Sequence, residues 1–356
     1  TRAHLPTEID VTALHLGGGT PTLLSAERIA RLRDMIKGSF DLSSAEISVE
    51  IDPCECDVAR LDALCDLGLG RASIGVQDFD PMVQASIGRI QSKEATQQTV
   101  QGLRDRQIAS VNFDLLYGLP HQTPDRMMRT LDAVCEMTPE RIALYGYAHV
   151  PWVARRQRMI PEDALPTPEE RLRLADLARD RLIGAGYVAV GIDHFARPTD
   201  SLAIAARNRQ LRRNFQGYTT DRETTLVAMG PSAISLLPQG FVQNAPRTDD
   251  WQRMTREGVL PATRGIALTD MDRAIGAVIE RLMCDGQVDL TFHGGAAGDQ
   301  ITAAAQAALD KFQGAGELND GLLRLHDIRA SRLVAHAIET AMTGQTDSAM
   351  RYSQAS

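Results

Sequence analysis

From residue 11 to residue 192 the chain repeats one rhythm: a short apolar or β-branched run, a turn, then a segment with helical spacing. The pattern predicts strands over 11–16, 46–51, 71–76, 110–116, 141–147 and 187–192. It predicts helices over 26–37, 58–66, 93–106, 124–136 and 168–183. Strand, helix, strand in this order demands parallel strands with helices packed outside them. The helices have local causes. Thr167-Pro168-Glu169-Glu170 offers a cap, a proline at the first helical position and a glutamate placed to close a capping box. Gly184 and Gly186 stop that helix. Met127, Leu131, Val134 and Cys135 fall at i, i+4, i+7 and i+8, one apolar stripe turned to a sheet.

Polar residues gather where each of these strands ends. Gly17-Gly18-Gly19-Thr20 follows the first, Glu50 and Asp52 close the second, and Gln77-Asp78 closes the third. The fourth carries Asn112 and Asp114, the fifth Tyr145, Tyr147 and His149, and the sixth ends at Asp193-His194. In parallel α/β barrels and open sheets, ligands bind at the carboxyl ends of the strands. Strand ends are also loops, and loops are polar in any protein. Glu50 and Asp114 lie within the last strand residues, where a buried charge must be paired or hydrogen-bonded. The reading from residues alone is therefore an α/β barrel-like enzyme expected to bind a polar, anionic ligand.

Beyond residue 239 the strand rhythm fades. Helical spacing returns at 271–283, 303–312 and 331–342, separated by the glycine-rich breakers 294–298 and 314–316. This divides the chain into a barrel over 1–238 and a smaller, mostly helical domain over 239–356.

Composition narrows the function. The chain is 356 residues long, 43% hydrophobic and 4% aromatic, with a formal net charge of -8. Few aromatics and an acidic balance argue against a nucleic-acid partner. No apolar run approaches the ~20 residues of a membrane span. Five cysteines in this length do not make a disulfide framework, so a reducing, cytoplasmic setting is expected.

The candidate ligand groups read as follows. Consecutive glycines at 17–19 let a ligand approach the backbone, without the G-x-G-x-x-G or P-loop spacing. Cys65 and Cys135 lie on apolar helical stripes and read as core. Cys284 has no near partner, and the single-residue gap between Cys54 and Cys56 fits no standard metal site, so no metal ligand is assigned. Arg207, Arg209, Arg212 and Arg213 form a basic run that is either a solvated helix face or a cluster binding carboxylates or phosphates. No hydrolytic elbow or zincin motif is present.

Several strings together resemble the oxygen-independent coproporphyrinogen III oxidase family of radical S-adenosylmethionine (SAM) enzymes. They are LHLGGGTPTLL, EISVEIDP, ASIGVQDFDPMVQ, NFDLLYGLPHQTP, YGYAHVP, GIDHFARP, RNFQGYTT and MGPSAIS, in order across most of the chain. GLPHQTP is shared with other radical SAM proteins, whereas GIDHFARP, RNFQGYTT and MGPSAIS resemble the oxidase in particular. The closing RYSQAS resembles the family's carboxyl-terminal tail.

The resemblance implies a partial (β/α)6 barrel and a reaction in haem synthesis. Two propionates of coproporphyrinogen III are oxidatively decarboxylated to vinyls, giving protoporphyrinogen IX. A [4Fe-4S] cluster cleaves SAM reductively, and the 5'-deoxyadenosyl radical takes a hydrogen from the propionate. Carried over by position, Gly18, Gly19 and Thr20 are expected at the methionine end of SAM. Glu50, Gln77, Arg89 and Asp114 are expected to add polar contacts, and Ala148 and Ile234 to flank the adenosyl part. The basic run then becomes a candidate for the substrate's four propionates. The expected partners are this tetra-anionic substrate and an electron donor, with the chain a monomer.

The departure from the family pattern is in the cysteines. The family's cluster motif, Cys-x3-Cys-x2-Cys after the first barrel strand, does not occur among the five cysteines here. The resemblance places Thr1 just before the second barrel strand, so the first strand, cluster loop and first helix are expected to be missing. The expected cause is amino-terminal truncation, with a degenerate protein as the alternative. The chain as written is expected to form no cluster and perform no radical chemistry. A haem-binding chaperone-type relative and an unrelated barrel enzyme are the rival readings.

Overall fold

The structure, a computed structural model, describes residues 2–6, 9–108, 110–214, 216–292 and 294–344. Phe215, within RNFQGYTT, and the closing RYSQAS lie outside the described residues. The chain opens into β1 (Ala13–Leu16), α1 (Ala26–Lys37), β2 (Glu46–Ile51), α2 (Val58–Leu67) and β3 (Leu69–Gln77). A short α3 (Pro81–Ser86) and α4 (Lys93–Asp105) lead to β4 (Ser110–Tyr117), α5 (Pro124–Met137), β5 (Arg141–Gly146) and α6 (Pro168–Gly184). Strands β1 to β5 are parallel and lie in sequence order. This is the parallel α/β arrangement expected from the rhythm and the partial barrel that the resemblance implies.

Alternation along the strands splits the sheet into two faces. Val49, Ile51, Ala72, Ile74, Val76, Val111, Phe113 and Leu115 point outward and pack under the helices as the main core. The alternate positions, Ser48, Glu50, Ser73, Asn112 and Asp114, turn inward and line a cavity. Register fixes their neighbours: Glu50 stands beside Ser73, and Gly75 beside Asp114. The caps read from sequence are present, including the reciprocal Thr167–Glu170 box on α6. β1 is an edge strand, paired with β2 alone among the described residues.

The sixth strand differs from expectation. Residues 187–192 do not pair directly with β5. The chain forms β6 (Val188–Val190), reverses, and inserts β7 (His194–Ala196) antiparallel between β5 and β6. The reversal uses Gly191 at φ +60°, where a Cβ would lie 2.0 Å from the Tyr218 ring. His194 therefore begins a strand and does not follow one.

Next come α7 (Ser201–Arg207), the hairpin β8 (Arg212–Asn214) and β9 (Gly217–Thr219), and β10 (Ile234–Leu237), β11 (Gly240–Asn244), α8 (Thr248–Arg256) and β12 (Ala262–Ala267). Strands β10, β11 and β12 form their own antiparallel sheet, and the β10–β11 turn straddles residues 238 and 239. The chain closes with α9 (Asp270–Asp285), β13 (Gln287–Asp289), α10 (Gly295–Lys311), β14 (Gly316–Asn319), β15 (Leu322–Leu325) and α11 (Ser331–Thr343). These three helices bury a second core around Val278, Leu282, Ile301, Leu323 and Val334, with a three-stranded sheet at its side. Arg332 of α11 reaches the barrel, where it pairs with the buried Asp193. Among the described residues, no helix is long and apolar enough to cross a membrane.

Candidate functional site

The site is built from strand ends. After β1 the chain turns through Gly17 and Gly18. A Cβ on Gly17 would collide with His15 Nε2 at 2.4 Å and Glu50 Oε1 at 2.7 Å. Gly18, at φ +78°, turns its N–H toward Glu50 Oε2 at 3.3 Å, and added Cβ atoms on Gly18 or Gly19 would meet nothing. The glycines thus leave an open floor beside a carboxylate. His15 holds that carboxylate from the other side, with Nε2 3.4 Å from Glu50 Oε1 and Nδ1 2.8 Å from Ser48 Oγ.

Asp114 is the centre of the inner face. Ser73 Oγ donates to its Oδ2 at 2.7 Å, and Asn112 Nδ2 donates to its Oδ1 at 2.8 Å. Burial pushes its carboxyl above the ordinary range, and the bonds from Ser73 and Asn112 offset part of that rise. Arg89 stands opposite. It donates to the Gly75 carbonyl at 2.8 Å and lies 3.4 Å from Asp52, while its Nε is buried without a partner.

Gly19, Thr20, Glu50, Gln77, Arg89 and Asp114, drawn from four strand ends and a loop, surround one recess of about 150 Å³. It adjoins a cavity of about 560 Å³ on the inner sheet face, and Glu50, Ser73 and Asp114 line both. Three carboxylates against one guanidinium favour a ligand with positive charge and hydroxyls, with Arg89 left to take a carboxylate. Gln77 has φ +64°, and the β3–β4 register slips beside it. Strain of this kind in a non-glycine residue concentrates at functional sites.

Other expected residues lie apart. Ala148 follows β5, and its carbonyl accepts from Gln157 at 2.9 Å. Ile234 begins β10. Neither lines the recess or the cavity beside it. The basic run is not one patch. Arg207 and Arg209 line a separate recess beside Cys284 and Asp285. Arg212 pairs with Glu280 of α9 at 2.8 Å. Arg213 stacks over the Tyr218 ring at 4.7 Å, with one guanidinium nitrogen buried without a partner. The β8–β9 hairpin causes the split, because α7 ends at Arg207, Arg209 sits in the turn after it, and Arg212 and Arg213 enter β8.

Sequence reasoning missed His15, Ser48, Ser73, Arg71 and Arg141, all of which line the larger cavity. The signal was available: they sit two, four or six residues before Gly17, Glu50, Gln77 and Tyr145 on the same strand face. Among the described residues no group of three or more His, Cys, Asp or Glu is arranged to hold a metal ion. Cys54 is exposed, Cys284 is buried, and burial pushes the Cys56 and Cys284 thiols up to about 12.

The Radical SAM superfamily model matches residues 3–134. An oxygen-independent coproporphyrinogen III oxidase from Paracoccus denitrificans is 53% identical over 79% of this chain, which spans 62% of that protein. One from Cereibacter sphaeroides is 42% identical over 100% of this chain, covering 79% of its own length. The structure of the Escherichia coli coproporphyrinogen III oxidase, described as a radical SAM enzyme, superposes with a TM-score of 0.86 at 35% identity. That match covers 93% of this chain and 78% of the other.

Proposed function

Because this chain belongs to the oxygen-independent coproporphyrinogen III oxidases of the radical SAM superfamily, we propose that its recess is a SAM site. We propose further that the adjoining cavity face serves oxidative decarboxylation of coproporphyrinogen III in haem synthesis. One observation carries the reading: Gly19, Thr20, Glu50, Gln77, Arg89 and Asp114 converge on a single recess.

The residues fit SAM. The open glycine floor admits a main-chain-like group, and Arg89, which lines the recess, offers a guanidinium to its carboxylate. Glu50 and Asp114 accept from an ammonium and from ribose hydroxyls. When bound, SAM is the source of the radical that takes hydrogen from a propionate. The chain's own work is to bind and orient that ligand. Ser73 and Asn112 hold Asp114, and His15 holds Glu50, so neither carboxylate must reorganise.

The residues do not fit a [4Fe-4S] cluster. Cys54, Cys56, Cys65, Cys135 and Cys284 lie outside the lining of the recess and of the adjoining cavity. No step is assigned to a cluster held by these cysteines. Of the basic run, Arg213 is assigned to a substrate propionate, since its guanidinium stacks over the ring of cavity-lining Tyr218. A monomer supplied by a separate electron donor completes the reading.

Coproporphyrin III, the stable tetracarboxylate analogue, tests the substrate class by fluorescence titration. Saturable binding of the acid, weakened by Arg213→Gln and absent for its tetra-amide, supports the reading. Equal binding of acid and amide, or none of either, contradicts it.

A further inference from the structure

The recess is backed by a buried polar network that none of its lining residues explains. Gln77 centres a tight γ-turn: the Asp78 N–H donates to the Val76 carbonyl at 2.8 Å across a left-handed residue. Such turns are rare and strained, so something must hold this one. Asp78 is fully buried. Its Oδ1 accepts from Thr130 Oγ1 at 2.7 Å and from the Asp80 N–H at 2.7 Å, and its Oδ2 accepts from Gln122 Nε2 at 2.6 Å.

The other end of the network reaches Arg89. Gln84, also buried, donates to the Asp78 carbonyl at 2.9 Å and to the Gln91 carbonyl at 2.7 Å. The Arg89 N–H donates to the Gln84 carbonyl at 3.0 Å. Gln77 and Arg89 line the recess, whereas Asp78, Gln84, Gln122 and Thr130 do not.

We propose that Asp78 is a positioning residue: anchored by Thr130 and Gln122, it holds Gln77 in its strained turn and, through Gln84, fixes the segment that delivers Arg89. The inference rests on the reading of the recess as a SAM site. It explains why the position is a carboxylate. Gln122 Oε1 already accepts from the Gly118 and Leu119 N–H groups, so the Gln122 amide cannot flip. Only an acceptor can meet its Nε2, and an asparagine at 78 would have one oxygen for three donors.

The test is a double-mutant cycle read by calorimetric SAM titration, at a temperature where every variant is folded. Gln77→Ala and Asp78→Asn are each expected to weaken binding by about tenfold, the loss of about one hydrogen bond. Combined, they are expected to weaken it no further, because Asp78 acts through Gln77. Thr130→Val gives a second route should Asp78→Asn not fold: a severalfold loss, restored by Thr130→Ser and absent in the Gln77→Ala background. Additive losses, or a lowered Tm with unchanged SAM affinity, would overturn the proposal while leaving the SAM reading intact. No binding by the unaltered chain removes both, and is distinguished by that control alone.

Discussion

Ser73 Oγ donates to Asp114 Oδ2 at 2.7 Å, so neighbouring strands β3 and β4 share one buried carboxylate at the mouth of the recess. Because burial raises the folded-state pKa of Asp114, ionising it opposes folding. The sign follows: the folded state binds the proton more tightly, so stability is lost as pH rises from the ordinary carboxylate range through the raised value. Asp114→Asn should therefore raise Tm at neutral pH, with the gain shrinking as pH falls toward about 4. A pH series of melting curves checks it. The same variant should lose SAM affinity, read by calorimetric titration.

Gln77 carries the opposite bargain between strain and use. At φ +64° it occupies a region that glycine enters freely. Gln77→Gly should stabilise the fold by up to about 1 kcal/mol in urea denaturation, since left-handed strain in a non-glycine residue costs of that order. SAM affinity should fall in the same variant. A destabilised Gln77→Gly protein would show that the side chain, and not the turn, sets the local energy.

Arg141 and Asp200 form the most enclosed ion pair at the cavity wall, 2.8 Å apart and 5% and 8% exposed. Asp200 also caps α7 by accepting from the Leu202 N–H at 2.7 Å. Asp200→Ala strands a buried guanidinium and should cost about 3–5 kcal/mol in equilibrium unfolding. Arg141→Met with Asp200→Ala should recover part of that loss, leaving the missing cap.

The five cysteines lead to a spectroscopic expectation. Burial raises the thiol pKa of Cys54, Cys56, Cys65, Cys135 and Cys284, and none lines the recess or the cavity beside it. Thiolates are the form that binds iron. The 356-residue chain incubated anaerobically with iron and sulfide should give no stoichiometric [4Fe-4S] absorption. A stoichiometric signal would mean that these cysteines rearrange.

Much of the barrel was legible because burial on one sheet face imposes a period of two, and capping residues mark the helices between. Glu50 and Asp114 stood out as charges inside strands. Asn112, two residues before Asp114 on the same strand, stood out with them; Ser73 did not, because it matters through register across β3 and β4, which one strand's sequence does not state. The β6–β7 reversal was hidden because VAVGIDHFA reads as one run unless Gly191 is known to lie against Tyr218. The arginine run looked continuous because sequence adjacency says nothing of the hairpin that leaves Arg207 in one recess and lays Arg213 over the Tyr218 ring. The β10–β11–β12 sheet carries little burial on β12, so it left almost no hydrophobic pattern.

The central claim is that strand ends of one inner sheet face form a SAM site. Isothermal titration of SAM into the 356-residue chain tests it most directly, with Glu50→Gln and Asp114→Asn as companions. The account predicts saturable one-site binding that both substitutions weaken by about tenfold or more, the scale of a lost charge-assisted hydrogen bond. An absence of saturable heat, or binding that neither substitution changes, would contradict it.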